Sequence, residues 1–173
     1  MRRGGAFVVV AALAVSGCAL QPIYAGGARS EAVQALASIQ VDPIPGRAGF
    51  LVRSALQDRL GSAAGAGRYR LVIELDDAIE GFAIRRDDST TRERRTLRAR
   101  YQLISADGSR TLLDATARTD AGIDVVRSSD YAVVAAENTA LERLAVDLVE
   151  EIMTRLAVLA RTTPELQASA SRP

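Results

Sequence analysis

The sequence predicts a two-layer α+β domain, with a small four-stranded, mostly antiparallel sheet and two helices packed on one face. The C-terminal helix is the longer of the two. Three observations lead there. Apolar residues between 47 and 60 recur at helical spacing. From Tyr69 to Val126 the spacing drops to every second residue, over three segments joined by turn signals. After Ser129 the helical period returns and holds as far as Ala160. Sequential strands with short links pair antiparallel, and helices with one apolar stripe must bury it against such a sheet.

The elements follow in order. Leu36, Ser38 and Gln40 alternate with Ala37, Ile39 and Val41, which reads as a first strand over 35–41, broken by Pro43, Pro45 and Gly46. Phe50, Leu51, Ala55, Leu56 and Leu60 then mark a helix over 47–60, with Gly61 as its stop. In the next strand Tyr69, Leu71, Ile73 and Leu75 point inward, and Arg70, Glu74 and Asp76 outward. Gly81 is a candidate bulge, and Asp87-Asp88-Ser89-Thr90 a turn. On the return strand Leu97, Ala99, Tyr101 and Leu103 face the core while Arg98, Arg100 and Gln102 face away. Asp107-Gly108 closes a hairpin into a less regular strand over 111–126. Ser128 and Ser129 are suitable N-caps for a helix from Tyr131 to Ala160. Its apolar stripe is Val134, Leu141, Leu144, Ala145, Leu148, Ile152, Leu156 and Leu159. Residues 161–173 are expected to form a disordered tail.

The N-terminus is a separate matter. Arg2 and Arg3 precede an unbroken apolar run from Ala6 to Val15, followed by Ser16 and Gly17. This is the layout of a secretory signal over 1–17, too short to span a bilayer. It ends at Cys18, the single cysteine of the chain. Val15-Ser16-Gly17-Cys18 resembles the bacterial lipobox. That resemblance implies a diacylglycerol on the thiol, cleavage before Cys18, and acylation of the new amine. Several buried chains hold a protein far more firmly than one. Ala19 in place of Asp points to the outer membrane among sorted lipoproteins. Residues 18–34 then serve as a tether, which if extended reaches about 50 Å at roughly 3.3 Å per residue. The domain itself spans 35–160.

Composition narrows the chemistry. The chain has 173 residues, a net charge of +1 and no histidine. That balance gives no field for nucleic acid, and the missing histidine removes Ser-His and Cys-His catalysis and most zinc sites. We expect no catalytic residues, no metal and no cofactor beyond the acyl groups on Cys18. Asp76-Asp77 and Asp87-Asp88 are adjacent carboxylates, but neighbours on a strand point to opposite faces. All 22 basic residues are arginine, as GC-rich coding would produce. Arg92, Arg94, Arg98 and Arg100 share parity, so one strand face carries all four, about 6.6 Å apart. Guanidinium forks suit phosphate, which makes these four candidate contacts for an anionic glycolipid. A solvated face, neutralised by Glu74, Asp76 or Glu80 across the sheet, is the other reading of the same pattern.

Several segments together resemble the LptE family of lipopolysaccharide-assembly lipoproteins. They are "GCALQPIYA", "FLVRSALQDRLG", "YRLVIEL", "RARYQLISADGSRTLLDATARTD" and "SDYAVVAAENTALERLAVDLVEEIMTRL", and they cover most of residues 18–160. The arginine- and alanine-rich style is closest to alphaproteobacterial members. The resemblance implies a non-enzymatic protein at the cell outer membrane, lipid-anchored, on the periplasmic side or within a barrel lumen. Its implied partners are the LptD barrel, which it plugs and helps to assemble, and lipopolysaccharide. A lipoprotein accessory to an ABC-type lipid-trafficking system is the alternative that a lipobox plus a small α+β domain also allows. The anchor is directly testable. Cys18→Ser should abolish acylation of the mature N-terminus by mass spectrometry and move the protein from the membrane to the soluble fraction; continued membrane retention without acyl groups would refute it.

Overall fold

The computed structural model describes residues 31–61, 67–84, 90–124, 130–163 and 166. Cys18 and the signal segment, residues 87–89 of the turn expected at 87–90, the candidate caps Ser128 and Ser129, and residues 167–173 lie outside them. The described elements are α1 (Glu31–Ala37), β1 (Ile39–Val41), α2 (Gly46–Leu60), β2 (Tyr69–Ile84), β3 (Thr90–Ser105), β4 (Thr111–Asp124) and α3 (Asp130–Thr162). The sheet order is β1-β2-β3-β4, with β1 parallel to β2 and the other pairs antiparallel. A parallel pair needs a crossover, which α2 provides. The architecture is the α+β sheet the sequence predicts, with one helix more.

That extra helix is α1, which corrects the first strand. The run "EAVQALA" is rich in alanine, the best helix former. It places Ala35 and Leu36 in the core before Ser38 N–H and Oγ close the turn on the Ala35 carbonyl. Only Ile39–Val41 are extended, and Pro43, which lacks an N–H, ends their pairing. The helix therefore begins within the segment read as tether.

Two details of α2 also differ from expectation. Its buried residues are Ala48, Gly49, Val52, Leu56 and Leu60. Phe50 is 69% exposed, because it lies six residues from Leu56, and at about 100° per residue that turns it some 120° away. Gly49 is required by contact: a Cβ there would sit 2.6 Å from the Ile44 carbonyl oxygen.

The inward alternation of β2 and β3 is as read from the sequence. Leu71, Ile73, Leu97, Ala99, Tyr101 and Leu103 pack under the helices. The Tyr101 hydroxyl is buried, and burial pushes that phenol up in pKa against the pull of Arg155. Gly81 is no bulge, since it pairs with Glu93 in an unbroken register. The irregularity falls instead between Leu103 and Ile104 on the β4 side. The Asp107-Gly108 hairpin forms with Gly108 at φ +72. Hydrogen bonds from Ser105 and Ser109 hold the Asp107 carboxylate down to about 2.

Helix α3 has 33 residues, roughly 50 Å of rod. Its buried stripe runs from Ala140 to Ala160. Arg47 meets Asn138 (2.6 Å) and Arg59 meets Glu150, so α2 runs beside α3 in the same direction. The first turns of α3 extend past that partner, which leaves Val134 53% and Tyr131 85% exposed. Val134 thus leaves the predicted stripe. At the other end Arg161 and Thr162 complete the helix, and Leu166 is buried, so part of the expected tail belongs to the fold.

What holds the protruding part of α3 to the sheet is a charged contact. Arg95, on the helix side of β3, is 9% exposed. It donates to both Asp77 carboxylate oxygens (2.8 and 2.6 Å) and to the Glu137 main-chain carbonyl (2.8 Å). Three elements meet on one guanidinium. The Asp77 hydrogen bonds raise its pKa further against the opposing effect of burial. Removing one partner of a buried pair strands the other. Asp77→Ala should therefore lower the unfolding free energy by about 3 kcal/mol in denaturant titration, whereas Asp77→Leu with Arg95→Met should stay within about 1 kcal/mol of the parent. Equal losses in both variants would show that the contact acts by packing alone.

Candidate functional site

Because all described helices lie on one side, the other face of the sheet is left open by the described residues. Its residues are fixed by period-two alternation and by register. On β3 they include Arg92, Arg94, Arg98 and Arg100, and the structure does bring these four onto one face, all exposed. On β2 the same face carries Glu74, Asp76 and Glu80, opposite Arg100, Arg98 and Arg94 respectively. On β4 it carries Asp114, Thr116, Arg118, Asp120 and Asp124. A row of arginines thus runs between two largely acidic rows.

The four candidates are not equivalent. Arg92 Nε bonds Asp124 at 2.9 Å. Arg100 forks onto Asp114, at 3.2 and 2.9 Å, and Gln102 adds a bond at 2.8 Å. The Arg100 and Gln102 bonds hold the Asp114 carboxylate below its ordinary pKa, and Asp114 in turn raises that of Arg100. Arg94 stands opposite Glu80. Arg98 differs: it forms no hydrogen bond or ion pair with any described residue, although Asp76 stands across from it.

On its other side Arg98 faces Arg118, which is likewise without such a partner among the described residues. Two like charges directly opposite each other on a sheet repel. No described residue takes the donors of either guanidinium, and guanidinium groups suit oxyanions. Sequence reasoning missed Arg118 because its place opposite Arg98 depends on the register shift beside Leu103. It also missed Arg95, whose odd number put it on the core face, where a charge is not expected. An open cavity of about 240 Å3 lies on the β2 side of Arg98, lined by Glu74, Leu75, Asp76, Arg98 and Arg100 but not by Arg118. Among the described residues no group of three or more His, Cys, Asp or Glu is placed to hold a metal ion. No described helix is long and apolar enough to cross a membrane.

The family model for LptE, described as lipopolysaccharide-assembly, matches residues 36–156. The chain belongs to the LptE family. Its fold is shared with solved lipoproteins of low sequence identity. A Caulobacter crescentus protein described as a lipoprotein matches at TM-score 0.64 and 20% identity, covering 78% of this chain and 99% of that one. The rare lipoprotein B of Shewanella oneidensis matches at TM-score 0.58 and 7% identity, covering 73% and 96%. A minor lipoprotein of Acinetobacter baumannii matches at TM-score 0.54 and 11% identity, covering 69% and 88%. No curated protein matches the chain. The LptE match runs from α1 into α3 and so takes in the whole open face, while Cys18 lies before it.

The electrostatics of the LptE-family face can be checked without a ligand. Relieving the Arg98–Arg118 opposition with Arg118→Gln should raise the melting temperature by about 1–2 °C at low salt and by less in high salt. Arg100→Gln, which breaks a bonded fork, should give no rise. Equal responses from the two variants would mean that Arg118 does not feel Arg98.

Proposed function

We propose that this LptE-family protein acts in lipopolysaccharide assembly as an outer-membrane lipoprotein held by acyl chains on Cys18. It plugs an LptD-type barrel, assists that barrel's assembly, and binds lipopolysaccharide through phosphate. The observation that carries the binding part is the Arg98–Arg118 pair, opposite in register and without carboxylate partners among the described residues. Lipid A phosphates would take the donors that no described residue uses. Arg92 and Arg94, further along the same strand face, extend the basic row that a large head group meets.

Plug residence is supported by the rest of that face. Its acidic and basic side chains alternate strand by strand, which suits contact with the polar lumen of a large barrel. Lipid anchoring and the outer-membrane site rest on the lipobox-like sequence around Cys18. The reaction class is binding and transfer without covalent chemistry, so no residue is assigned a catalytic role.

The test is equilibrium binding of lipid A to the detergent-solubilised protein. An Arg98→Gln, Arg118→Gln double variant should bind at least 10-fold more weakly. Enzymatically dephosphorylated lipid A should bind the parent protein no better than intact lipid A binds that variant. Arg92→Gln, already occupied by Asp124, should change affinity by less than about threefold, in line with the small value of an exposed pair. Full affinity in a folded double variant would refute the assignment.

A further inference from the structure

Strand β2 runs from Tyr69 to Ile84, but β1 pairs only with Tyr69, Arg70 and Leu71. The direction of the remaining main-chain groups follows from two bonds. Tyr69 N–H donates to the Ser38 carbonyl, and the Leu71 carbonyl accepts from Asp42 N–H. In an antiparallel strand successive residues alternate the side to which they bond. The N–H and C=O groups of Ile73, Leu75, Asp77, Ile79 and Gly81 therefore point away from β3, along the edge that β1 abandons. No backbone bond from any other described segment reaches them. The edge is about 27 Å long at 3.3 Å per residue. Asp77 illustrates its openness: its side chain is 26% exposed against Arg95, yet the residue as a whole is exposed.

Sheet edges are usually blunted by proline, lysine, a bulge or an inward charge. Between Ile73 and Gly81 there is no proline, and the register with β3 is unbroken. The one inward charge, Asp77, is neutralised by Arg95. What remains is a row of acids on the open face, Glu74, Asp76 and Glu80, alternating with apolar Leu75 and Ile79 on the helix side. Ile79 is 42% exposed. Such a row repels another copy of itself, since β2 against β2 would set acid opposite acid. It accepts a strand of the opposite pattern: β3 sets Arg100, Arg98 and Arg94 opposite those same acids, yet Arg100 bonds Asp114 instead and Arg98 bonds no described residue.

We infer that the free edge of β2 is a docking site for an extended segment of a partner protein in which basic and apolar residues alternate. Main-chain bonds to the odd-numbered residues supply affinity, and the acids supply choice of partner. The inference goes beyond glycolipid binding and uses the opposite sign of charge, so either can fail without the other.

The probe is a fluorescent nine-residue peptide alternating arginine and valine, titrated into the full chain in detergent and read by anisotropy. Binding should weaken at least 10-fold for a peptide of the same composition in two blocks, and for one alternating glutamate and valine. It should weaken similarly when the peptide amides that face the edge are N-methylated. Ile79→Pro removes an edge N–H that no other strand uses, so it should abolish binding at least 10-fold while keeping the parent's circular dichroism. If that variant unfolds, the N-methylated peptide reads the same contact on the unmodified chain. The Arg98→Gln, Arg118→Gln variant should bind the peptide as the parent does. Equal binding of the blocked or N-methylated peptide would overturn the proposal, as would a stable dimer that the peptide fails to compete with.

Discussion

The alternation of β3 is the constraint from which the rest follows. Leu97, Ala99, Tyr101 and Leu103 are fully buried. With α3 laid against them, every intervening side chain is forced to the far face, whatever its charge. Burying an apolar side chain of this size contributes about 1.5–3 kcal/mol, while an exposed ion pair contributes at most about 1 kcal/mol. The core therefore decides where the open-face arginines go, and those arginines contribute little to the choice of fold. A one-residue slip would exchange the two sets. For the same reason the open face is free to carry function: substitutions there leave the packing of β3 intact.

That face is balanced in charge on the whole, yet uneven in detail. Arg92 and Arg100 are each held by a carboxylate on β4, whereas Arg98 meets Arg118 across the same strand pair. Had the opposition served stability, an acid at 118 would have matched Asp114 and Asp124, which flank it on the same face. A like-charged pair kept inside an otherwise complementary lattice favours an external anion. The chain belongs to a family described as lipopolysaccharide-assembly, and lipopolysaccharide is the anionic glycolipid proposed for this face.

The core was the most legible part of the sequence, because burial imposes a period. The inward residues of β2 and β3, the Asp107-Gly108 hairpin and the body of α3 all follow from spacing and turn chemistry. Misreadings came where two periods fit the same few residues. Ala35 to Val41 alternates, yet its first half is alanine-rich and helical; Phe50 fits a loose helical pattern, but Val52 takes the buried place. The site was only half legible. The four arginines of β3 could be placed on one face from parity. Arg118 could not be paired with Arg98, because continuing the hairpin register from Ile104 and Thr111 would set Arg98 opposite Ala117 instead. Only the shift beside Leu103 corrects that, and nothing in "YQLISADGSRTLL" announces it. Arg95 was hidden for a different reason. A charge on a core face is visible in three dimensions only when its partners, Asp77 and a helix carbonyl, are in place.

Arg95 also explains how the long end of the sheet stays in position. Beyond the cover of α2, the sheet has α3 as its described helical layer, with Ile123 buried at the far end of β4. One guanidinium bonded to Asp77 on β2 and to the Glu137 carbonyl on α3 fastens the protruding helix to two strands at once. The same contact removes the inward charge that would otherwise guard the free edge of β2. A single buried cation thus stiffens the surface that presents Arg98 and Arg118 and leaves the neighbouring edge ready to accept a strand. The two proposed surfaces are opposite in charge, and they meet at the cavity that Glu74 and Asp76 line together with Arg98 and Arg100.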